Sequence, residues 1–331
     1  MHQKLHGYLY ITSGHLKNQD YLTFKPKNYL SFACFMKDKN MKLIRLIPVL
    51  AIVLLIQSCA TNQLTREGKT AYQKGNYEAA LNAWDQVIEK YESKGERADG
   101  EIYYKAGLAA RKLKEPKKAR GYLEKAEYLE YTSPRLYTTL AKINKSLDNL
   151  SKEIEALEGY YNKYPQGDMI QAMTERLFET YVESENWKKA TEIWPEIKNQ
   201  AQSDADLLTG YLTVNKKLEN DTLCDQLAGK ILELEPKNKT ALEWYAKKYF
   251  WKAENLYVKE MKAYKNNRTT SQYDRLLNKL DEVYPTFEKS RDYFLKLYKL
   301  DPKPQYAKFL GNIYSRLQNE EKADYYYEKA E

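Results

Sequence analysis

The chain has 331 residues, 43% hydrophobic and 30% charged, so it can bury a sizeable core either as one or two globular domains or as an elongated repeat array. The net charge of +8 does not indicate nucleic-acid binding, because residues 1–59 hold eight Lys or Arg and two Asp or Glu, leaving 46 basic and 44 acidic side chains, about +2, in the rest. The three histidines (His2, His6 and His15) precede residue 41. The remaining chain therefore lacks the usual general base and commonest metal ligand, which argues against much hydrolytic and metal-dependent chemistry.

The N-terminal part of the chain contains the pattern of a signal peptide. A short basic stretch, residues 41–45, precedes an unbroken apolar run from Leu46 to Ile56. A helix of these eleven residues is only about 16 Å long, too short for a hydrocarbon core of roughly 30 Å. The run therefore indicates a signal peptide at 41–58 rather than a membrane span. Because a signal peptide should begin a chain, we expect translation to start at Met41 and residues 1–40 to be upstream sequence; the alternative is a disordered extension.

The end of this segment resembles a bacterial lipobox. Gln57-Ser58-Cys59 places a small residue directly before a cysteine, and in lipoproteins that cysteine is diacylated on its sulfur and becomes the mature N-terminus. The resemblance implies lipidation at Cys59 and a lipidated tether over 59–64. The alternatives are an ordinary secretory signal and a buried helix with a chance cysteine.

The residues that follow Cys59 indicate the membrane to which such a lipoprotein is sorted. Ala60 is not the aspartate that retains lipoproteins at the inner membrane of enteric bacteria. No acidic run follows of the kind that carries some Bacteroidota lipoproteins to the cell surface. We therefore expect a lipid-anchored protein of the bacterial outer membrane that faces the periplasm, with a source among the Bacteroidota.

From Thr65 onward the sequence repeats a helix-pair pattern with a period close to 34 residues. Clear copies are Gly68 through Val87, Tyr104 through Ala126, and Leu310 through Ala330. The pattern resembles the tetratricopeptide repeat, which has small residues at its eighth and twentieth positions, an aromatic or Leu residue at the twenty-fourth and Pro at the thirty-second. Small residues let the two helices of a pair approach closely, and the proline ends the second helix. The sequence therefore predicts an all-α superhelical solenoid of about seven helix pairs over residues 65–331.

The twentieth position marks the seven repeats. Its occupants, at intervals of 39, 34, 37, 34, 66 and 33 residues, are Ala80, Ala119, Glu153, Ala190, Cys224, Ser290 and Ala323. Glu153 departs from the small-residue rule, so repeat three is assigned by register. Cys224 is interpreted as a small packing residue. With Cys59 assigned to lipid, Cys224 has no partner for a disulfide or a zinc cluster.

The interval of 66 residues indicates one elongated repeat. Apolar residues at steps of three and four run from Tyr249 to Tyr264 and return from Tyr273 to Tyr284. We interpret them as an extended antiparallel helical hairpin at about 240–300, with its tip at 266–270, that stands out from the solenoid.

In this family the first helices of the stacked repeats line a concave face that commonly receives peptides or helices of partner proteins. Positions three or four residues apart on the first three of these helices predict a basic and aromatic groove, whose candidate residues are Lys69, Tyr72, Tyr104, Leu108, Arg111, Lys142 and Lys145. The alternative is a set of ordinary solvated side chains whose stems cover apolar surface.

The tyrosines at 325–327 close the sequence without a capping helix, which allows self-association through the last repeat.

No glycine-rich phosphate loop, paired-histidine zinc motif or nucleophile elbow occurs after residue 40. We therefore predict a protein that is not an enzyme and needs no metal or cofactor.

The first functional hypothesis is a protein–protein interaction scaffold that assists assembly or secretion of envelope proteins, similar in architecture to the repeat lipoprotein of the β-barrel assembly machinery. The alternative is an adaptor for peptidoglycan enzymes; a glycan-binding or enzymatic lipoprotein that uses Trp84, Trp194 or Trp244 is the third. The expected partners are envelope proteins and, through the lipid, the membrane, but not nucleic acid.

Overall fold

The computed structural model describes residues 61–331, which are mostly helical and contain no β-strand. The predicted N-terminal extension, the signal peptide and Cys59 lie outside the described residues. The helices are α1 (61–73), α2 (Tyr77–Glu92), α3 (Gly100–Lys112), α4 (Pro116–Tyr128), α5 (Pro134–Ser146), α6 (Leu150–Lys163), α7 (Ile170–Glu183), α8 (Trp187–Ile197), α9 (Ala205–Lys217), α10 (Asp221–Leu234), α11 (Lys239–Asn266), α12 (Thr270–Leu300), α13 (Pro304–Arg316) and α14 (Glu320–Glu328). Taken two at a time, the helices of this part of the chain form seven pairs, which confirms the predicted all-α solenoid.

Helix α1 begins earlier than the sequence suggests. Residues 61–64, assigned above to the tether, are already helical. The Thr65 hydroxyl donates to the Thr61 carbonyl at 2.9 Å, and Leu64 packs against the core. Burial of Leu64 favours adding this turn to the first repeat.

The turn within most pairs has one recurring design. The residue before the second helix's cap has a positive φ, and this position is held by Gly75, Lys114, Asp148, Glu185, Glu219 and Gln318. An asparagine usually follows; the side chain of Asn76, for example, accepts a hydrogen bond from the Ala79 amide. The left-handed residue reverses the chain and the asparagine satisfies a free amide of the next helix. Repeat six lacks this turn because its first helix continues outward.

The residues at the twentieth position are all buried, with 3% exposure or less. The two that carry a polar hydrogen use it across the helix pair. The Ser290 hydroxyl donates to the Ala246 carbonyl at 2.8 Å, and the Cys224 thiol lies 4.0 Å from the Leu212 carbonyl. Both acceptors occupy the eighth position of the same repeat. The close helix crossing that the sequence predicts is therefore where these groups meet.

Glu153 fills its small-residue position in a different way. Its carboxylate is 3% exposed and accepts two hydrogen bonds from Arg176 of α7, at 2.7 and 3.2 Å. The same guanidinium also contacts Glu179 and Glu183. A buried carboxylate is tolerated here because the next repeat supplies its counter-charge.

The sixth pair forms a long hairpin. Helix α11 has 28 residues and α12 has 31, and residues 267–269 join them. Inside it, the buried Glu260 accepts two hydrogen bonds from Arg275, at 2.9 and 3.1 Å. α12 continues through Pro285 without interruption.

The buried residues form two clusters that meet within α11. The first extends from Ala80 to Ala241 and the second from Leu242 to Ala323. Leu232 packs against both. The solenoid is therefore continuous, but its core divides into two clusters at the start of the long hairpin.

Candidate partner-binding groove

The first helices of repeats one to three, α1, α3 and α5, carry the residues predicted to line a groove. Tyr72, Tyr104 and Arg111 are half-buried. The three lysines, Lys69, Lys142 and Lys145, are exposed. These six residues therefore combine half-buried aromatic and guanidinium groups with exposed ammonium groups.

Tyr72 lies where the three helices come together. Burial raises the pKa of its hydroxyl, while the positive charges of Arg135 and Arg111 act in the opposite direction. The Tyr104 hydroxyl is also close enough to affect it. Side chains of α1, α3 and α5 therefore lie close enough together for Arg111, Arg135 and Tyr104 to act on the Tyr72 hydroxyl.

Arg111 has an unsatisfied donor in this site. Its Nε is buried and has no hydrogen-bond partner, and within residues 61–331 its guanidinium makes no ion pair. A buried donor without an acceptor costs free energy, and the guanidinium charge has no carboxylate to neutralise it within the described residues, so it can pair with an incoming carboxylate.

The other cations of the groove are also unpaired within the described part of the chain: Lys69, Arg135, Lys142 and Lys145 have no carboxylate within ion-pair distance. Elsewhere in residues 61–331, Arg176 and Arg316, for example, are neutralised by carboxylates. The groove therefore keeps a concentration of positive charge available to a ligand.

Aromatic side chains support this surface. Tyr104 stacks on Tyr131 with ring centroids 4.8 Å apart, and Tyr72 contacts Tyr77 edge-on at 5.2 Å. Tyr72 also lies 5.9 Å from the buried Trp84 ring. Packed rings hold the hydroxyls with little loss of side-chain entropy when a ligand binds.

Leu108 does not belong to the accessible groove, contrary to the sequence prediction. Its side chain is only 6% exposed. Residues 106–110 are all buried, so α3 is enclosed on every side at this turn. The four-residue spacing from Tyr104 identifies a helix face correctly, but it does not show where neighbouring helices close over that face.

Arg135 is the groove residue that the sequence analysis missed. It is the second residue of α5, at the second position of repeat three, and lies seven residues before Lys142. Residues seven apart share a helix face, so extending the same spacing rule toward the N-terminus of α5 would have found it.

The tryptophans named for the glycan-binding hypothesis serve packing. Trp84 and Trp194 are 2% and 8% exposed, and the Trp244 indole donates to Asp225 at 2.9 Å. Trp251, which the sequence analysis did not single out, is 52% exposed and borders a cleft of about 440 Å³ shared with Phe250 and Phe309.

Cys224 lies in the core. Burial raises the pKa of its thiol to about 11, so the thiol is protonated and poorly nucleophilic near neutral pH. In residues 61–331 no three His, Cys, Asp or Glu side chains are grouped to hold a metal ion. Among the helices of the same segment, none has the length and apolar character of a membrane span.

A family model described as tetratricopeptide repeat matches residues 100–132 and 309–331, which correspond to repeat two and most of repeat seven. No curated protein matches the chain. Solved structures with a similar fold include a protein from Bacteroides ovatus, 20% identical over 67% of this chain and 98% of that one, with a TM-score of 0.46. The C-terminal part of a repeat protein from Cytophaga hutchinsonii is 15% identical over 80% and 93%, with a TM-score of 0.44.

Proposed function

Because the chain carries tetratricopeptide repeats, we propose that it is a protein–protein interaction scaffold whose groove in repeats one to three binds an acidic segment of another protein. The observation that carries the proposal is that the Arg111 guanidinium has no ion-pair partner within residues 61–331 and that Arg111 and Arg135 both lie near Tyr72. A carboxylate side chain or chain terminus would satisfy the guanidinium, and the exposed lysines would hold further acidic residues.

We propose further that the scaffold acts in the bacterial envelope, anchored to the outer membrane by lipid on Cys59 and facing the periplasm. The basic and apolar pattern of residues 41–59 supports this location. Its partners would be envelope proteins whose assembly or secretion it assists. An adaptor for peptidoglycan enzymes is the second candidate, since such enzymes would be within reach of the same anchor.

Direct binding tests the groove. A labelled peptide with alternating Glu and Tyr residues should bind residues 61–331 with an affinity that falls as salt rises, because exposed charge pairs are screened. Replacing Lys69→Glu, Arg111→Gln and Lys142→Glu together should weaken binding by at least about tenfold, the loss of ~1.4 kcal/mol. The control is Lys74→Glu with Lys117→Glu, two exposed lysines outside the groove whose replacement changes the net charge by a similar amount. Equal affinity of the two variants would reject the groove.

Crosslinking in intact envelopes separates the two pathways. Recovery of barrel-assembly or secretion components with the unaltered chain, but not with the groove variant, supports the first. Recovery of peptidoglycan hydrolases instead supports the adaptor.

For the anchor, Cys59→Ala should release the protein from membranes in a flotation gradient, and continued flotation would contradict lipidation.

A further inference from the structure

The long hairpin carries an apolar surface that the rest of the described chain leaves open. Val258 of α11 is 49% exposed, and Tyr273 and Leu277 of α12 are 46% and 43% exposed. Met261 and Leu280 beside them are half-buried. These five residues are called the hairpin shelf. Single exposed apolar residues are ordinary, but a contiguous group on a projecting element marks a contact site.

On α11, helical spacing relates the shelf to a surface that is already covered. Val258 lies one turn beyond Glu254. The Glu254 carboxylate accepts two hydrogen bonds from Arg316 at the end of α13, at 2.6 and 2.9 Å. Because residues i and i+4 share a helix face, the face of α11 that α13 covers continues outward to Val258.

The same relation holds on α12. Leu277 lies two turns before Tyr284, whose hydroxyl accepts a hydrogen bond from Gln318 in the turn after α13, at 3.2 Å. Residues seven apart share a face. On both helices, therefore, the surface that the last repeat covers near the solenoid extends beyond α13 as the uncovered shelf.

Charges on the two sides of the shelf have opposite signs. The flanking side chains that make no ion pair within residues 61–331 are Lys262 and Lys265 on α11 and Asp274 and Asp281 on α12. One edge of the apolar strip is therefore basic and the other is acidic. A segment that covers the strip gains most if its own edges carry the complementary charges.

We propose that the hairpin shelf is the docking site for an amphipathic helix of another protein. The helix would lie beyond the end of α13, as a continuation of the layer that the last repeat forms on this face. Its apolar stripe would cover Val258, Tyr273 and Leu277, with acidic side chains toward α11 and basic side chains toward α12. This site is separate from the groove of repeats one to three, so the two can be tested independently.

A second copy of this chain fits the shelf less well. The last repeat occupies the inner part of the face, so two shelves could overlap only with their hairpins pointing in opposite directions. A twofold pairing of that kind lays α11 on α11 and brings Lys262 and Lys265 near the same lysines of the other copy. Like charges placed opposite one another oppose association.

Three labelled synthetic helices of ~18 residues, long enough to span the shelf, provide the probes. All share one leucine stripe; the first has Glu along one edge and Lys along the other, the second Glu on both edges, and the third Lys on both. Fluorescence anisotropy with residues 61–331 should show the tightest binding for the first peptide, at least about tenfold tighter than for either other peptide.

The decisive comparison uses adjacent residues of α12. Leu277→Asp should weaken binding of the first peptide at least about tenfold, whereas Asn278→Asp, at an exposed position off the shelf, should not. Circular dichroism should show equal helicity for both variants. The proposal is overturned if the peptide does not bind saturably or binds both variants equally. It is also overturned if the unaltered chain forms a dimer that Leu277→Asp dissociates, since a second copy would then occupy the shelf.

Discussion

Single residues at helix crossings decide how closely each pair packs. A methyl group added at Gly107 would lie 2.7 Å from Leu123 Cγ and 3.2 Å from the Ala119 carbonyl. The same kind of approach occurs at Gly68 against the Trp84 ring and at Gly311 against the Tyr327 ring. The eighth position is therefore constrained by its partner residue on the second helix.

We expect Gly107→Ala to destabilise the protein by about 1–3 kcal/mol, because the Leu123 side chain must move to admit the methyl group. Gly121 provides the control within the same repeat: it is exposed on α4 and has no atom within 4 Å of an added Cβ. Gly121→Ala should stabilise by about 0.5–1 kcal/mol through the lower backbone entropy of the unfolded chain. Urea unfolding of both variants measures the contrast, and equal shifts would contradict it.

The Glu153–Arg176 pair yields an asymmetric prediction. Arg176→Ala should cost about 3–5 kcal/mol, because it leaves the buried Glu153 carboxylate without a counter-charge. Adding Glu153→Ala should recover much of that loss, since it removes the isolated charge and restores the small residue usual at this position. Urea midpoints of the two single variants and the double variant provide the test. A double variant no more stable than Arg176→Ala would show that the carboxylate is not the source of the loss.

At the scale of elements, the outer part of the hairpin depends on Glu260 and Arg275. The hydrogen bonds from Arg275 lower the pKa of Glu260 from its ordinary value of 4.5, and the charges of Lys259 and Lys279 act in the same direction. A carboxyl with a lowered folded-state pKa contributes stability above its unfolded pKa and loses that contribution as pH falls through the folded value.

Hydrogen exchange near residues 258–280 should therefore be slow at neutral pH and accelerate, after correction for intrinsic rates, as pH falls below about 4.5. Glu260→Gln should raise exchange in this segment at neutral pH and remove most of the pH dependence. Exchange in α3 and α4 is the internal reference. Parallel changes in those helices would point to global unfolding rather than opening of the hairpin.

How far the sequence predicts these elements depends on whether the signal is local. The helix pairs, the small residues at the crossings and the long hairpin follow from periodicity and from spacing within one segment. The contact of Arg176 with Glu153 joins residues of different repeats, so no local pattern reveals it. The enclosure of Leu108 likewise depends on helices packed around α3. Arg135 is a different case, because the spacing rule applied to Lys142 already contains it.

At the scale of the whole molecule, the two buried clusters predict that the two parts of the array can unfold separately. Phe294 is fully buried in the second cluster and stacks on Phe309 at 4.6 Å. Phe294→Ala should cost about 3–5 kcal/mol. Repeat arrays are stabilised mainly by neighbouring repeats, so hydrogen exchange should accelerate in α11 to α14 while α2 to α6 stay protected. Uniform acceleration would show that the seven repeats unfold as one unit.

Helix α11 belongs to both halves, with Ala241 in the first cluster and Leu242 in the second. Its 28 residues form one rod of about 42 Å that starts in the solenoid and ends at the hairpin tip. Its inner end packs in both clusters, and its outer part carries the shelf. A protein bound at the proposed shelf would therefore load a helix that packs in both clusters, rather than a hairpin attached to one of them.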